Sequence, residues 1–174
     1  MSRESKFLAR ILRHEPGLIG LRLDRAGWAR IDELLRMLKK SGRTMTREQL
    51  EEIVRVNDKK RFTIRGGKIR AAQGHSIDVD LELPAAIPPD ILYHGTAAQN
   101  LDDIFAVGLH PGGRRQVHLS GNAETAVRVG RRHGKPVVLR VDAGAMHADG
   151  HAFFRADNGV WLTDNVPPTY LGFG

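Results

Sequence analysis

Apolar positions recur at helical spacing three times early in the chain and then give way to alternation. Phe7, Leu8, Ile11 and Leu12 share one stripe, with Arg3, Lys6, Arg10 and Arg13 mostly off it, so residues 2–14 are predicted to form a helix. Pro16 biases its predecessor out of the helical region, which ends that helix at Arg13-His14. Residues 32–38 predict a second helix, closed by Ser41-Gly42. Thr46 and Gln49 have the form of a capping box that opens a third, with Leu50, Ile53 and Val54 on its apolar face. Residues 61–65 and 68–71 then alternate around Gly66-Gly67 and predict a β-hairpin. Three helices followed by a hairpin is the order of a winged helix, a common nucleic-acid-binding design, although fold order alone does not give function.

The pattern changes across residues 75–91, where Pro84, Pro88 and Pro89 suit an extended linker. Past it come short strands and short helices. Residues 92–96 read as a strand end. Residues 99–107 read as a helix with Leu101, Ile104 and Phe105 inward and Gly108 as its cap. Residues 117–120 predict a strand, 123–132 a helix ending near Gly134, and 137–141 the clearest strand of all. Residues 153–154 and 160–163 predict two more strands joined by the turn Asp157-Asn158-Gly159, and the ending from Val166 to Gly174 reads as a loop. The expected class is α+β, in two lobes, residues 1–82 and 83–174.

Charge sharpens that division. The chain of 174 residues carries a net charge of +7. Residues 1–74 hold 19 Lys and Arg against 9 Asp and Glu, a balance of +10, and residues 75–174 hold 8 against 11, a balance of −3. A basic first half points to a polyanionic partner. There are no cysteines, hence no disulfide, thiol nucleophile or thiolate metal site. With no run of 18 apolar residues and no signal-peptide pattern, a soluble, cytoplasmic protein without a membrane span is expected, and a monomer because the chain already supplies two lobes.

Familiar catalytic signatures are missing. Gly112-Gly113 lacks the Gly-Lys-Ser/Thr of a P-loop, and no strand leads into G-x-G-x-x-G. His147 and His151 have the spacing of two zinc ligands on a helix, but Gly144 and Gly150 argue against a helix there, and no metal is expected. Ser120 follows His118 too closely for a nucleophile and its base. What remains is a set of basic and polar clusters: Arg13-His14, Lys59-Lys60-Arg61, His94-Gly95-Thr96, Arg114-Arg115 and His118-Leu119-Ser120. Forked arginine donors with histidines beside them suit the binding of phosphate.

Together these stretches resemble one family. Leu-Arg-His-Glu-Pro (12–16), Leu-Asp-Arg-Ala-Gly-Trp (23–28), Asn-Asp-Lys-Lys-Arg-Phe (57–62) and Gln-Gly-His-Ser (73–76) are similar to motifs of the RNA 2′-phosphotransferases. So are Tyr-His-Gly-Thr (93–96), Arg-x-x-x-His-Leu-Ser (114–120), Asn-Gly-Val-Trp-Leu-Thr (158–163) and the Val-Pro-Pro and Tyr-Leu stretches nearby. The resemblance runs from about residue 5 to 171, in the family's order.

That resemblance implies an enzyme that removes an internal RNA 2′-phosphate by transfer to NAD⁺, giving 2′-hydroxyl RNA, nicotinamide and ADP-ribose 1″,2″-cyclic phosphate. It implies a winged-helix lobe that binds RNA, an ADP-ribosyltransferase-like lobe that binds NAD⁺, and a site in the cleft between them. The family's four catalytic residues fall on Arg13, His14, Arg61 and Arg114, the last contested by its neighbour Arg115. Its NAD⁺-binding motifs fall on His94, Gly95, Thr96, His118 and Ser120. Val160 falls where many ADP-ribosyltransferases carry a catalytic glutamate; this family has a hydrophobic residue there. Two other functions are compatible with the same residues: an ADP-ribosyltransferase of nucleic-acid termini, and a non-catalytic winged-helix binder.

Overall fold

The computed structural model describes residues 2–174, in two compact units, Met1–Glu82 and Leu83–Gly174. In the first unit, helix α1 (Arg3–Arg13) is capped by Ser2, whose side chain accepts from Ser5 N, and buries Leu8, Ile11 and Leu12. A single 3-10 turn, Pro16–Ile19, begins on the proline that halts α1. Strand β1 (Ala29–Arg30) leads directly into α2 (Ile31–Lys40), and α3 (Arg47–Val56) opens with both arms of the capping box in place. Strands β2 (Phe62–Arg65) and β3 (Lys68–Ala71) pair antiparallel around Gly66-Gly67, with Phe62 opposite Ala71 and Arg65 opposite Lys68. The pattern of apolar positions did not signal β1. Its two residues pair with Ile69 and Lys68 and make the sheet three-stranded in the order β1-β3-β2.

The three helices and the sheet close on one core, in which Ile11, Leu12, Ile31, Leu34, Leu50 and Ile69 are fully buried. At roughly 2 kcal/mol for each large apolar side chain withdrawn from water, this core fixes where α1 ends and where β2 begins. Those are the positions of Arg13-His14 and Arg61.

The second unit contains β4 (Leu92–Ala97), α4 (Leu101–Val107), β5 (Val117–Leu119), α5 (Ala123–Arg131), β6 (Pro136–Val141), α6 (Ala143–Ala148), β7 (Phe154–Arg155), β8 (Trp161–Thr163) and β9 (Leu171–Phe173). They form two antiparallel sheets, β4-β6-β9 and β5-β8-β7. An isolated bridge stitches the sheets together: Tyr93 N donates to Ser120 O at 2.9 Å and Ser120 N to Tyr93 O at 2.8 Å. Phe153, Leu92, Leu119, Val141 and Met146 fill the core below them.

Several expectations need correction here. The ending is not a loop: Pro168–Tyr170 makes a 3-10 turn and Leu171–Phe173 pairs with β6 at its edge. Two prolines and a glycine mask that strand in the sequence. Phe105 does not point inward. It stays 36% exposed and packs against Phe173 with ring centroids 5.3 Å apart, because a seven-residue helix has room for only a narrow buried face. Residues 143–148 are helical despite Gly144. A side chain at Gly144 would come within 2.7 Å of the Asp90 carboxylate, so the glycine serves packing and does not break the helix. Val160 lies just before β8 rather than within it.

The proline-rich segment is also bound rather than loose. Asp80 N donates to Arg25 O, and Arg70 donates to Leu81 O within the first unit. Ala86 N donates to Phe153 O within the second.

Candidate functional site

In the first unit the candidate residues meet along one short run of backbone, residues 72–76. Ala72 N donates to Arg61 O at 2.8 Å, extending the β2-β3 ladder by one bond. Ser76 N donates to Arg13 O at 3.0 Å. Carbonyls of the last helical turn have no partner inside the helix, and this bond satisfies one of them. Four residue steps span at most ~14 Å even when fully extended, so Arg61 is tied to the end of α1 by a short connection. Gly74 lies between these two anchors at φ +91°, a backbone conformation that favours glycine, and a side chain there would only touch the Arg13 guanidinium at 3.4 Å.

His14 caps α1 through its own N–H to Arg10 O at 3.0 Å, and its Nδ1 lies 2.8 Å from Ser76 Oγ. Arg13 is half-buried and His14 is exposed. Arg61 is placed by Asn57 at the end of α3: Asn57 Oδ1 accepts from Arg61 N at 3.2 Å, and its Nδ2 donates to Ser5 Oγ on α1 at 3.3 Å. One side chain thus links α1, α3 and the start of β2.

Behind this row sits His75, 3% exposed. Burial, with the charges of Arg13, Arg70 and His14, pushes its pKa down to about 4, so the ring is neutral. Arg70 is buried as well, donating to Ala26 O at 3.1 Å and Leu81 O at 3.0 Å with its guanidinium 4.4 Å from the Trp28 ring centroid.

In the second unit β4 and β5 bring His94, Thr96, His118 and Ser120 together. His94 Nδ1 donates to the carbonyl of His118 at 3.1 Å, which leaves Nε2 as an acceptor. Burial is the main force lowering the His94 pKa; the carbonyl bond opposes it and the charge of His133 adds to it. The Arg114 guanidinium donates to His118 Nδ1. Arg114 remains open to solvent, yet the packing around it and the charge of Arg132 hold its pKa below the usual arginine value. Thr96 is buried and accepts from Asn100 Nδ2 at 3.3 Å.

Gly95 has a different task from its neighbours. A Cβ there would lie 1.7 Å from Ala126 O and 2.9 Å from Gly130 N, so α5 rests on the strand backbone itself. Val160 is half-buried; its N–H is taken by Asn158 Oδ1 at 3.2 Å and its carbonyl by Ala156 N at 2.8 Å. His147 lies on α6, and the ring of His151 packs edge-on against Tyr170 at 5.6 Å. Among the described residues no group of three or more His, Asp or Glu side chains could hold a metal ion.

Asn57, His75 and Ser76 carry no catalytic signature of their own, and the pattern gives only Asn57 a role, as the end of the third helix. The signal that could have found them is their placement inside the motifs at 57–62 and 73–76.

The family model described as RNA 2′-phosphotransferase, Tpt1 / KptA family, matches residues 1–165. The protein named "Probable RNA 2′-phosphotransferase" from Streptomyces coelicolor is 54% identical over 97% of this chain and 93% of its own length. Its namesake from Hahella chejuensis is 55% identical over 97% and 91%, and that from Agrobacterium fabrum 56% over 96% and 91%.

Proposed function

The chain belongs to the RNA 2′-phosphotransferase family, and from that membership and its two basic clusters we propose that it removes an internal RNA 2′-phosphate by transfer to NAD⁺. The products are 2′-hydroxyl RNA, nicotinamide and ADP-ribose 1″,2″-cyclic phosphate. In this reading the first unit is a winged-helix lobe that binds RNA, and the second an ADP-ribosyltransferase-like lobe that binds NAD⁺. The observation that carries it is the connection 72–76, which ties Arg61 to Arg13 and His14 in a row of phosphate-binding residues with no acid among them.

The residues of the second unit fit an anionic dinucleotide. His94, Gly95, Thr96, His118 and Ser120 include no carboxylate, and burial favours the neutral form of His94. Arg114 and Arg132 crowd like charge that an anion relieves. NAD⁺ supplies an anomeric carbon with a good leaving group.

The RNA 2′-phosphate attacks that carbon and nicotinamide departs with the bonding electrons. A phosphate dianion is already a nucleophile, so the step proceeds without a general base, in keeping with Val160 where other ADP-ribosyltransferases have glutamate. The neighbouring ribose hydroxyl then attacks phosphorus; its proton passes to the departing RNA 2′-oxygen, and the cyclic phosphate is released. Arg13, Arg61 and Arg114 stabilise the charge that develops on the phosphoryl oxygens, each well-placed donor contributing on the order of 3 kcal/mol. His14 donates to the phosphate or carries the proton of this second step.

The test is to incubate the protein with NAD⁺ and an oligonucleotide bearing one internal 2′-phosphate, then identify products by mass. ADP-ribose 1″,2″-cyclic phosphate with 2′-hydroxyl RNA supports the proposal. A stable ADP-ribosylated RNA would instead mark a transferase that stops after the first step. Binding without reaction would mark a non-catalytic binder.

A further inference from the structure

Ser76 touches both Arg13 and His14, and it comes from a segment far along the chain. Its backbone N–H is bonded to Arg13 O at 3.0 Å, which fixes the Ser76 Cα against the end of α1. From that anchor its hydroxyl reaches His14 Nδ1 at 2.8 Å. Serine and histidine are therefore held together by two bonds to consecutive residues, one through backbone and one through side chain. An exposed imidazole at a helix end would otherwise sample several rotamers. This pairing selects one.

We propose that Ser76 is the positioning residue of His14: its hydroxyl donates into Nδ1 and holds the ring as the Nε2–H tautomer, so that the phosphate is met through Nε2. The inference rests on the reading of His14 as a phosphate-side residue given above. Which nitrogen carries the hydrogen is set by the partner of the other nitrogen. A carboxylate in the place of Ser76 would favour the imidazolium and add negative charge where a phosphate must bind. A hydroxyl fixes the orientation and adds no charge. It also has both a hydrogen and lone pairs, so when the ring takes up a proton the same hydroxyl turns and accepts from Nδ1–H. The ring then keeps its place through both protonation states, as a proton carrier in the second step requires.

Two measurements decide the matter. The first is the ¹⁵N spectrum of the full chain labelled in its histidines, without substrate, with His14 assigned by comparison with His14→Asn. The wild-type protein is expected to show a pyridine-like Nδ1 and a pyrrole-like Nε2 for His14. Ser76→Ala should move both resonances toward the average of exchanging tautomers, and Ser76→Thr should restore the separation. The second is steady-state turnover of the 2′-phosphorylated oligonucleotide. Ser76→Ala should lower kcat on the order of 10-fold to 100-fold, the scale seen when the outer partner of a metal-binding histidine is removed. KM for NAD⁺ should stay unchanged, and Ser76→Thr should recover most of the rate.

Averaged nitrogens or a pyrrole-like Nδ1 in the wild-type chain would overturn the proposal. So would a Ser76→Ala variant with wild-type kcat. The nitrogen spectrum needs no substrate, so it decides the role of Ser76 even if the wild-type chain fails to turn over, an outcome that would overturn the functional reading alone. Because the Ser76 backbone bond survives the alanine change, and the side chain is exposed, both variants should fold.

Discussion

Gly95 on β4 lies against Ala126 on α5 so closely that a Cβ at 95 would stand 1.7 Å from the Ala126 carbonyl oxygen. The obstructing atoms are backbone, so the helix as a whole must shift to admit a methyl group. Gly130 meets the same strand from the other side, where a Cβ would lie 2.7 Å from Thr96 O. Two glycines thus bring helix and strand into backbone contact and set the height of α5 above His94 and Thr96.

Gly95→Ala should therefore be a folding mutation before it is a binding mutation. Overpacking of this kind costs about 3 kcal/mol or more when backbone cannot yield. Thermal unfolding of the purified variant should show a transition several degrees below wild type, and amide exchange should quicken along β4 and α5. A variant of unchanged stability that binds NAD⁺ poorly would place Gly95 among the ligand contacts instead.

The sequence and the structure part company in an instructive way. The Thr46–Gln49 capping box and the Gly66-Gly67 hairpin were legible because their chemistry is local: a side chain bonding a backbone three residues away, or a turn between alternating runs. Strand β1 was not, since two residues cannot show a period and Ala29–Arg30 is a strand only because Ile69 and Lys68 lie beside it. Strand β9 escaped because Pro167, Pro168 and Gly172 mask its three residues. Arg13, His14 and Arg61 could be named from their residue types, but the means of holding them could not. Ser76 and Asn57 act across 62 and 52 residues of chain, and such bonds leave no mark on neighbouring positions.

His75 makes the fold sensitive to acid. Its pKa is about 4 in the folded chain against an ordinary 6.5. Below pH 6.5 the unfolded chain binds a proton that the folded chain refuses, so stability falls as pH drops from about 6.5 to about 4 and this contribution levels off below that. The loss amounts to roughly 3 kcal/mol at the lower end. Urea unfolding of His75→Gln at pH 7 and pH 4 should show a pH-dependent difference smaller by about that amount. His94, whose pKa is lowered too, will keep part of the slope. An unchanged difference in the variant would mean that His75 is protonated in the folded protein.

Asn57→Ala removes two hydrogen bonds at once, one to Arg61 N and one from Asn57 Nδ2 to Ser5 Oγ. At about 1 kcal/mol each, the expected loss of stability is roughly 2 kcal/mol by chemical denaturation. Freed at its backbone, Arg61 should also hold phosphate less well, so turnover should fall beyond what the fraction unfolded explains. Loss of stability with full activity in the folded fraction would show that β2 alone places Arg61.

Removing the Arg61 side chain should separate the two chemical steps. The first step uses a phosphate that is already nucleophilic, whereas the second builds charge on phosphorus, where a guanidinium has most to stabilise. Arg61→Ala should thus slow the second step by roughly 100-fold or more and let ADP-ribosylated RNA phosphate accumulate as a slower band on a denaturing gel. His94→Ala supplies the contrast, because its ring belongs to the unit assigned to NAD⁺. It should weaken NAD⁺ binding by about 10-fold, the value of one hydrogen bond to a charged ligand, and leave RNA binding near wild type in parallel titrations. An Arg61→Ala variant that turns over without the slow band would remove Arg61 from the second step. Equal loss of both ligands in His94→Ala would remove that histidine from NAD⁺ recognition.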